Sequence, residues 1–332
     1  MELVVLTHVP PRYDWERPHQ IAARLPKALS GGDGEHRVVW LSTPACLPEA
    51  RALAPDLLVY DVTGYLPGYR AALDAADVVV TGGRSLQRAI TTIRPDAHCF
   101  ASGVDAAHLA RAAALRSEQA GRRPVAGYAG VVDERLDWDL VRELAAALPD
   151  WDIRVVEPAS YADQPAVLAE FDVGLLPFAL NGTTPSVSPI KALEYLAAGL
   201  PVVATRIPDV ADAFSDVVAL ADGGSGFATA CVRAANDCAE SRAARAKPLL
   251  RWHEWDAVTA RMAQVISARV AELARADRVI GAPAQASSQP GPRQRSTEAP
   301  SAASSRQPSA GLLRSTRATT QPPKPAPVSR AP

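Results

Sequence analysis

The chain has 332 residues, 48% of them apolar but only 5% aromatic, so it can fill more than one core and must do so with aliphatic side chains. The net charge of −1 is uneven: residues 281–332 hold seven basic residues against the single acid Glu298, a net of +6, which leaves −7 on residues 1–280. An acidic body lacks the positive face that neutralises phosphate backbones, which excludes nucleic acid as a partner of the folded part.

The first group of strand-like runs is Glu2–Thr7, His36–Leu41, Asp56–Val62, Asp77–Thr81 and Ala97–Ala101. The second is Val125–Tyr128, Asp152–Val156, Asp172–Pro177, Pro201–Thr205 and Val217–Leu220. Most are unbroken Val/Leu stretches, the pattern of parallel strands covered on both faces. Helical patterns lie between them. Asp137–Leu148 sets Trp138, Val141, Leu144, Ala145 and Leu148 on one stripe behind an Asp cap, and a last helix is expected over about Trp255–Ala274. Such alternation predicts an α/β protein of two Rossmann-like, doubly wound domains facing a cleft. The expected boundaries are 1–112 and 113–280, with a linker across 112–124. Residues 281–332, with ten prolines, nine serines and no aromatic residue, are expected to be a disordered tail.

Met1-Glu2 enters the first strand without a cationic leader, and no apolar run reaches the ~18 residues a membrane span needs, so a cytoplasmic protein is expected. Cys46, Cys99, Cys231 and Cys238 form no Cys-x-x-Cys pair, which excludes a zinc ribbon and leaves Cys231 and Cys238 to be read as buried thiols.

Ligands of such sheets sit beyond the carboxyl ends of the strands, so the strand-to-helix loops are the places to look. The first loop, His8 to Gln20, crowds His8, Arg12, Trp15, Arg17 and His19 into a connector. Asp61 closes the third strand, where it either faces the cleft or serves as a turn residue. In Gly127–Asp137, Gly127 and Gly130 let backbone approach a ligand and Arg135 offers a forked donor for phosphate oxygens. No Gly-x-Gly-x-x-Gly match exists. Asp137-Trp-Asp139 and Asp150-Trp-Asp152 spell an Asp-x-Asp metal motif, but one opens a helix and the other precedes a strand, so neither presents a metal.

The most specific segment is Ser188-Pro-Ile-Lys-Ala-Leu-Glu-Tyr-Leu-Ala-Ala-Gly-Leu-Pro-Val-Val-Ala-Thr205. Pro189 suits a helix's first turn and Gly199 the position just past its end. Free amides at the start attract an anion, phosphate above all. Lys191 opposes the helix dipole there unless a diphosphate is bound, and Glu194, on nearly the same face, can accept from a ribose diol. An ordinary Lys–Glu pair is the plainer reading.

This block resembles the signature of family 4 glycosyltransferases, which have the GT-B fold, and most closely a bacterial branch related to teichuronic-acid glycosyltransferases. Weaker likenesses follow in order across residues 1–270: Trp15-x-Arg-Pro-His19, Tyr60-Asp61, Gly103-Val-Asp105, Gly127–Asp137 and Phe171–Phe178. The resemblance implies transfer of a sugar from a nucleotide-diphosphate-sugar donor to a carbohydrate, lipid-linked or small-molecule acceptor. The settings it implies are cell-envelope polysaccharide, glycolipid or secondary-metabolite glycosylation, with anomeric retention, no metal or other cofactor, and at most peripheral association with the inner membrane face. On this reading Glu194, Lys191, Arg135, Gly130, Ser188 and Pro189 hold the donor. Trp15, Arg17 and His8 line the acceptor side, and Asp61 or His19 assists the acceptor hydroxyl. Ser186 stands eight residues before Glu194, where the family usually has a second glutamate, and the first domain lacks the usual glycine-rich phosphate loop. Two alternatives follow: a non-catalytic protein that binds a nucleotide sugar or a partner, and a sugar-nucleotide epimerase.

Overall fold

The computed structural model describes residues 1–7, 17–30, 36–116, 122–158, 160–180 and 190–280, with side chains through Ala276. Met1–Ala282 forms one compact unit. The tail expected over 281–332, and residues 8–16 and 181–189 with His8, Trp15, Ser186, Ser188 and Pro189, lie outside the described residues.

All ten expected strands form. The first sheet holds β1 (Glu2–Leu6), β2 (Arg37–Leu41), β3 (Leu57–Val62), β4 (Val78–Thr81) and β5 (His98–Cys99), paired in that order. The second holds β6 (Val125–Ala129), β7 (Asp152–Val156), β8 (Val173–Leu176), β9 (Val202–Ala204) and β10 (Val218–Leu220), in the order β10-β9-β8-β6-β7. Every pairing is parallel. Strands β3 and β4 are buried at every position, as strands covered on both faces must be.

The helices are α1 (Arg17–Leu29), α2 (Leu47–Ala52), α3 (Tyr69–Ala75), α4 (Arg84–Ile90), α5 (Ala106–Arg116) and α6 (Trp138–Ala147). They continue as α7 (Gln164–Ala169), α8 (Ile190–Ala197), α9 (Pro208–Phe214), α10 (Gly223–Ala235), α11 (Ala239–Trp252) and α12 (Trp255–Ile280). One face of the first sheet packs α1 and α12 around Ile21, Leu25, Trp40, Val59, Met262 and Ile266; Leu47, Leu73 and Ile90 cover the other. In the second sheet Leu193, Tyr195, Phe171 and Phe214 fill one face, and Leu144, Val173, Val203 and Phe227 the other.

The chain passes between the halves earlier than the expected linker. Leu109 and Ala112 of α5 already belong to the second core, so the break at 112 falls inside a helix. The first crossing is residues 100–105. The second, at His253–Trp255, brings α12 back onto the first sheet, where its Trp255, Val258 and Met262 are buried. The helix expected to close 113–280 therefore packs with the first half. The two crossings run side by side: Val104 pairs with Glu254, the Val104 amide donates to the His253 carbonyl at 2.8 Å, and a side chain on Gly103 would start 2.5 Å from the Trp255 ring. Cys231 is buried as expected. Cys238 is exposed, because it precedes α11 rather than facing a core.

Candidate functional site

The second sheet begins in its interior at β6 and winds both ways, so its strand order reverses between β6 and β8. In open α/β sheets that reversal leaves a crevice at the carboxyl edge. Four of the expected donor-side residues gather there. Strand β6 ends on Tyr128-Ala129-Gly130. The Ala129 amide donates to the Tyr195 hydroxyl of α8 at 2.8 Å and the Gly130 amide to the Val156 carbonyl at 2.9 Å, which joins β6, β7 and α8 at one point. A side chain on Gly130 would start 2.7 Å from the Tyr128 hydroxyl and 3.0 Å from Lys191 Cε. Gly130, Tyr128 and Lys191 therefore meet.

Helix α8 lies within the helix that the sequence predicts over 189–198, with Pro189 outside the described residues, and Gly199 beyond it adopts φ +74°, the left-handed conformation that ends helices. Its apolar residues Ala192, Leu193, Tyr195 and Leu196 enter the core, and Glu194 is drawn in with them at 3% exposure. A carboxylate there needs partners. Glu194 Oε2 accepts from Lys191 Nζ at 2.8 Å and from Gln164 Nε2 of α7 at 2.7 Å. The expected Lys–Glu pair exists, but it is buried on the Glu194 side and reinforced by Gln164.

Arg135 is held by its neighbour Asp133, with Nε bonds of 2.9 Å to both oxygens and an Nη2 bond of 2.6 Å to Oδ2. This contact raises the arginine's pKa and lowers that of Asp133 below the usual carboxylate range. Burial pushes the Tyr128 phenol up to about 12; Arg135 pulls it down, while Asp133 and Glu194 add to the rise. The charges of Arg135 and Glu194 thus bear on the same phenol. The two cations and two carboxylates balance, so an entering anion must draw Arg135 or Lys191 partly away from its present partner.

The expected acceptor side lies at the carboxyl edge of the first sheet. Arg17, the first residue of α1, reaches across the strand ends: Nε meets Asp61 Oδ2 at 2.7 Å and Nη1 donates to the Phe100 carbonyl at 2.6 Å. Asp61 is 1% exposed, so it is a buried ion-pair partner, while His19 sits half-buried on α1. Among the described residues Asp61 Oδ1 and Arg17 Nη2 have no hydrogen-bond partner, nor has the hydroxyl of buried Ser42. The register that pairs Leu41 with Tyr60 sets Ser42 beside Asp61. Among the described residues an acceptor, a donor and a hydroxyl thus stand buried and unbonded at one edge, each a polar atom that ordinarily has a partner.

Sequence reading missed Tyr128, Gln164 and Ser42. Gln164 carried a signal, since it opens a helix on the side of the sheet that α8 covers. Among the described residues no three His, Cys, Asp or Glu side chains are grouped to hold a metal.

Residues 108–239 match the family model described as glycosyl transferases group 1. TuaH of Bacillus subtilis (strain 168), assigned to teichuronic acid biosynthesis as a glycosyltransferase, is 26% identical over 151 residues, a match spanning 38% of this chain and 38% of that protein. Among solved structures, Anabaena Alr3699/HepE, in complex with UDP and glucose, aligns with a TM-score of 0.57 at 15% identity over 74% of this chain and 81% of its own. A UDP-forming α,α-trehalose-phosphate synthase from Burkholderia vietnamiensis aligns at 0.51 and 14% identity over 78% and 77%. The chain has the GT-B fold. In this GT-B chain the matched stretch contains β6 to α10 with Gly130, Arg135, Lys191 and Glu194, while Arg17, Ser42 and Asp61 lie outside it.

Proposed function

We propose that this chain is a glycosyltransferase that moves a sugar from a nucleotide-diphosphate-sugar donor to an acceptor hydroxyl. The observation that carries the reading is the meeting of Gly130 and Lys191 beside Tyr128, with Glu194 bonded to Lys191 and the Arg135 charge bearing on the same phenol, at the reversal point of the second sheet. Glu194, fixed by Gln164 and Lys191, accepts from the ribose diol. Lys191 and Arg135 meet the diphosphate, aided by the residues before Ile190, Ser188 and Pro189 among them. As the bond from the anomeric carbon to the diphosphate oxygen breaks, negative charge grows on that oxygen, and two preorganised cations stabilise it. These side-chain charges fill the role of a divalent ion, so transfer proceeds without metal. The acceptor oxygen takes the place of the diphosphate with retention of configuration, and its proton passes to the departing phosphate oxygen.

The acceptor hydroxyl lodges at Arg17, Ser42 and Asp61, with Asp61 Oδ1 receiving its hydrogen bond; Trp15 and His8 complete that side, and His19 of α1 is the other candidate to assist the hydroxyl. The acceptor is a carbohydrate, lipid-linked or small-molecule alcohol. No described helix is long and apolar enough to cross a membrane, and the reading places the protein in the cytoplasm, at most touching the inner membrane face.

Incubation of the purified protein with UDP-, GDP- and dTDP-sugars, with EDTA present, tests this. Release of nucleoside diphosphate from at least one donor is expected, reduced about tenfold or more in Glu194→Ala. Binding without release or transfer would favour a non-catalytic protein, and an isomerised donor an epimerase.

A further inference from the structure

Among the described residues, and apart from the two crossings, a buried polar contact joins the halves. Helix α9 follows β9 of the second sheet and α4 follows β4 of the first. Asp209 of α9 reaches α4, where its Oδ1 accepts from the Ser85 amide at 2.8 Å and the Ser85 hydroxyl at 2.7 Å. One turn on, Arg88 of α4 pairs with Asp212 of α9 at 3.2 Å, at the surface. Asp209 itself is 4% exposed.

Two details set this contact apart from ordinary packing. Asp209 Oδ2 is buried and has no partner among the described residues. Burying a carboxylate oxygen unbonded carries a desolvation cost, so the contact is poised against a state in which that oxygen reaches water. The approach is also as close as the backbone permits: a Cβ on Gly83 would lie 2.3 Å from that same oxygen. Gly83 has φ −153°, which any residue adopts, so the glycine serves the distance and not the backbone.

We propose that Asp209 is a positioning residue: its contact with Ser85 clasps the two halves and sets the separation at which the Lys191–Glu194 site faces the Arg17–Asp61 edge. Asp209 touches neither site. It acts through α4 and β4 on one side and α9 and β9 on the other, and Gly83 is the gap that lets the clasp shut. An alanine at Gly83 wedges the clasp open without removing any of its groups. Asparagine at 209 keeps an oxygen for Ser85 and replaces the unbonded oxygen with an uncharged amide, so it preserves the clasp. The structural part of the inference stands independently of the proposed transfer; only its kinetic consequence rests on that reading.

The test is a distance distribution from electron–electron resonance, with bio-orthogonal spin labels at exposed Arg51 of α2 and Val232 of α10 in the full chain. One distance is expected for the parent and for Asp209→Asn, and a broader, longer distribution for Asp209→Ala and for Gly83→Ala. Adding Gly83→Ala to Asp209→Ala should change nothing more, because the wedge then has nothing to meet. Distances in Asp209→Ala and Gly83→Ala that match the parent, with thermal unfolding confirming folded protein, would overturn the clasp. In the kinetic arm Asp209→Ala lowers donor turnover about tenfold and leaves nucleotide affinity within about twofold, a split that a general loss of structure would not give. If no nucleotide binds to the parent, the proposed transfer fails while the distance arm still decides the clasp.

Discussion

Single residues of the candidate site do two jobs at once, and the glycines show it. The sequence suggests that Gly127 and Gly130 leave room for a ligand. In the structure a Cβ on Gly127 would start 2.4 Å from the Phe171 ring, and Gly130 gives way to Tyr128 and Lys191. These glycines make room for the protein's own side chains, which a one-dimensional reading cannot separate from room for a guest. Lys191 and Glu194 were legible as a pair, because three residues of helix set two side chains on one face. The Asp133 grip on Arg135 was not, since a turn of irregular backbone forms it. Gly130→Ala should push the Tyr128 hydroxyl off the Val131 carbonyl, which it now meets at 2.9 Å, or move Lys191 away from Glu194. Nucleotide affinity is then expected to fall about tenfold, equivalent to about 1.4 kcal/mol, and adding Tyr128→Phe should recover part of it in calorimetric titration. Full affinity in Gly130→Ala would show that the Tyr128–Lys191 contact does not shape the site.

At the scale of elements, strands were the most legible feature. An unbroken Val/Leu run bounded by turn residues has few other uses, and both sheets kept all ten. Helix faces were read less well. The helical spacing sets Trp138 and Ala145 on the buried stripe of α6, yet both are exposed, Trp138 at 46% as the first residue of the helix; Leu140, Val141, Leu144 and Leu148 carry the stripe. The cap before it was legible: Asp137 accepts from the Leu140 amide at 2.9 Å. Asp137→Ala should cost about 1 kcal/mol in urea unfolding with the slope unchanged. Gly174 of β8 is under tighter constraint, since a Cβ there would start 2.4 Å from the Tyr195 ring. Gly174→Ala should destabilise by about 1–3 kcal/mol, because the ring lies in a filled core and its hydroxyl is tied to Ala129.

Over the whole molecule, alternating strand and helix patterns made two halves legible, but not where the chain changes sides. The crossing at residues 100–105 and the return of α12 depend on contacts such as Gly103 against Trp255, between residues far apart in sequence. His253 sits in the second crossing. Burial, with the Arg261 charge next, lowers its pKa to about 4. An unfolded chain takes up a proton on this ring near pH 6.5 while the folded one resists until about 4. The ring therefore makes no difference to stability above 6.5, and stability declines as pH falls from 6.5 to 4. The full effect is on the order of 3 kcal/mol. In denaturation series from pH 7.5 to 4, His253→Gln should lose less stability than the parent over that window; parallel curves would place the acid sensitivity elsewhere.

The central claim is that a nucleoside diphosphate lies where Gly130, Lys191, Glu194 and Arg135 meet. Calorimetric titration of UDP, GDP and dTDP into the parent and Glu194→Ala tests it most directly. Saturable binding of at least one nucleotide by the parent is expected, weakened about tenfold or more in the variant, the loss that follows if a buried carboxylate accepting from a ribose diol is removed. Equal affinity in the two proteins, or no binding of any of the three, would contradict it.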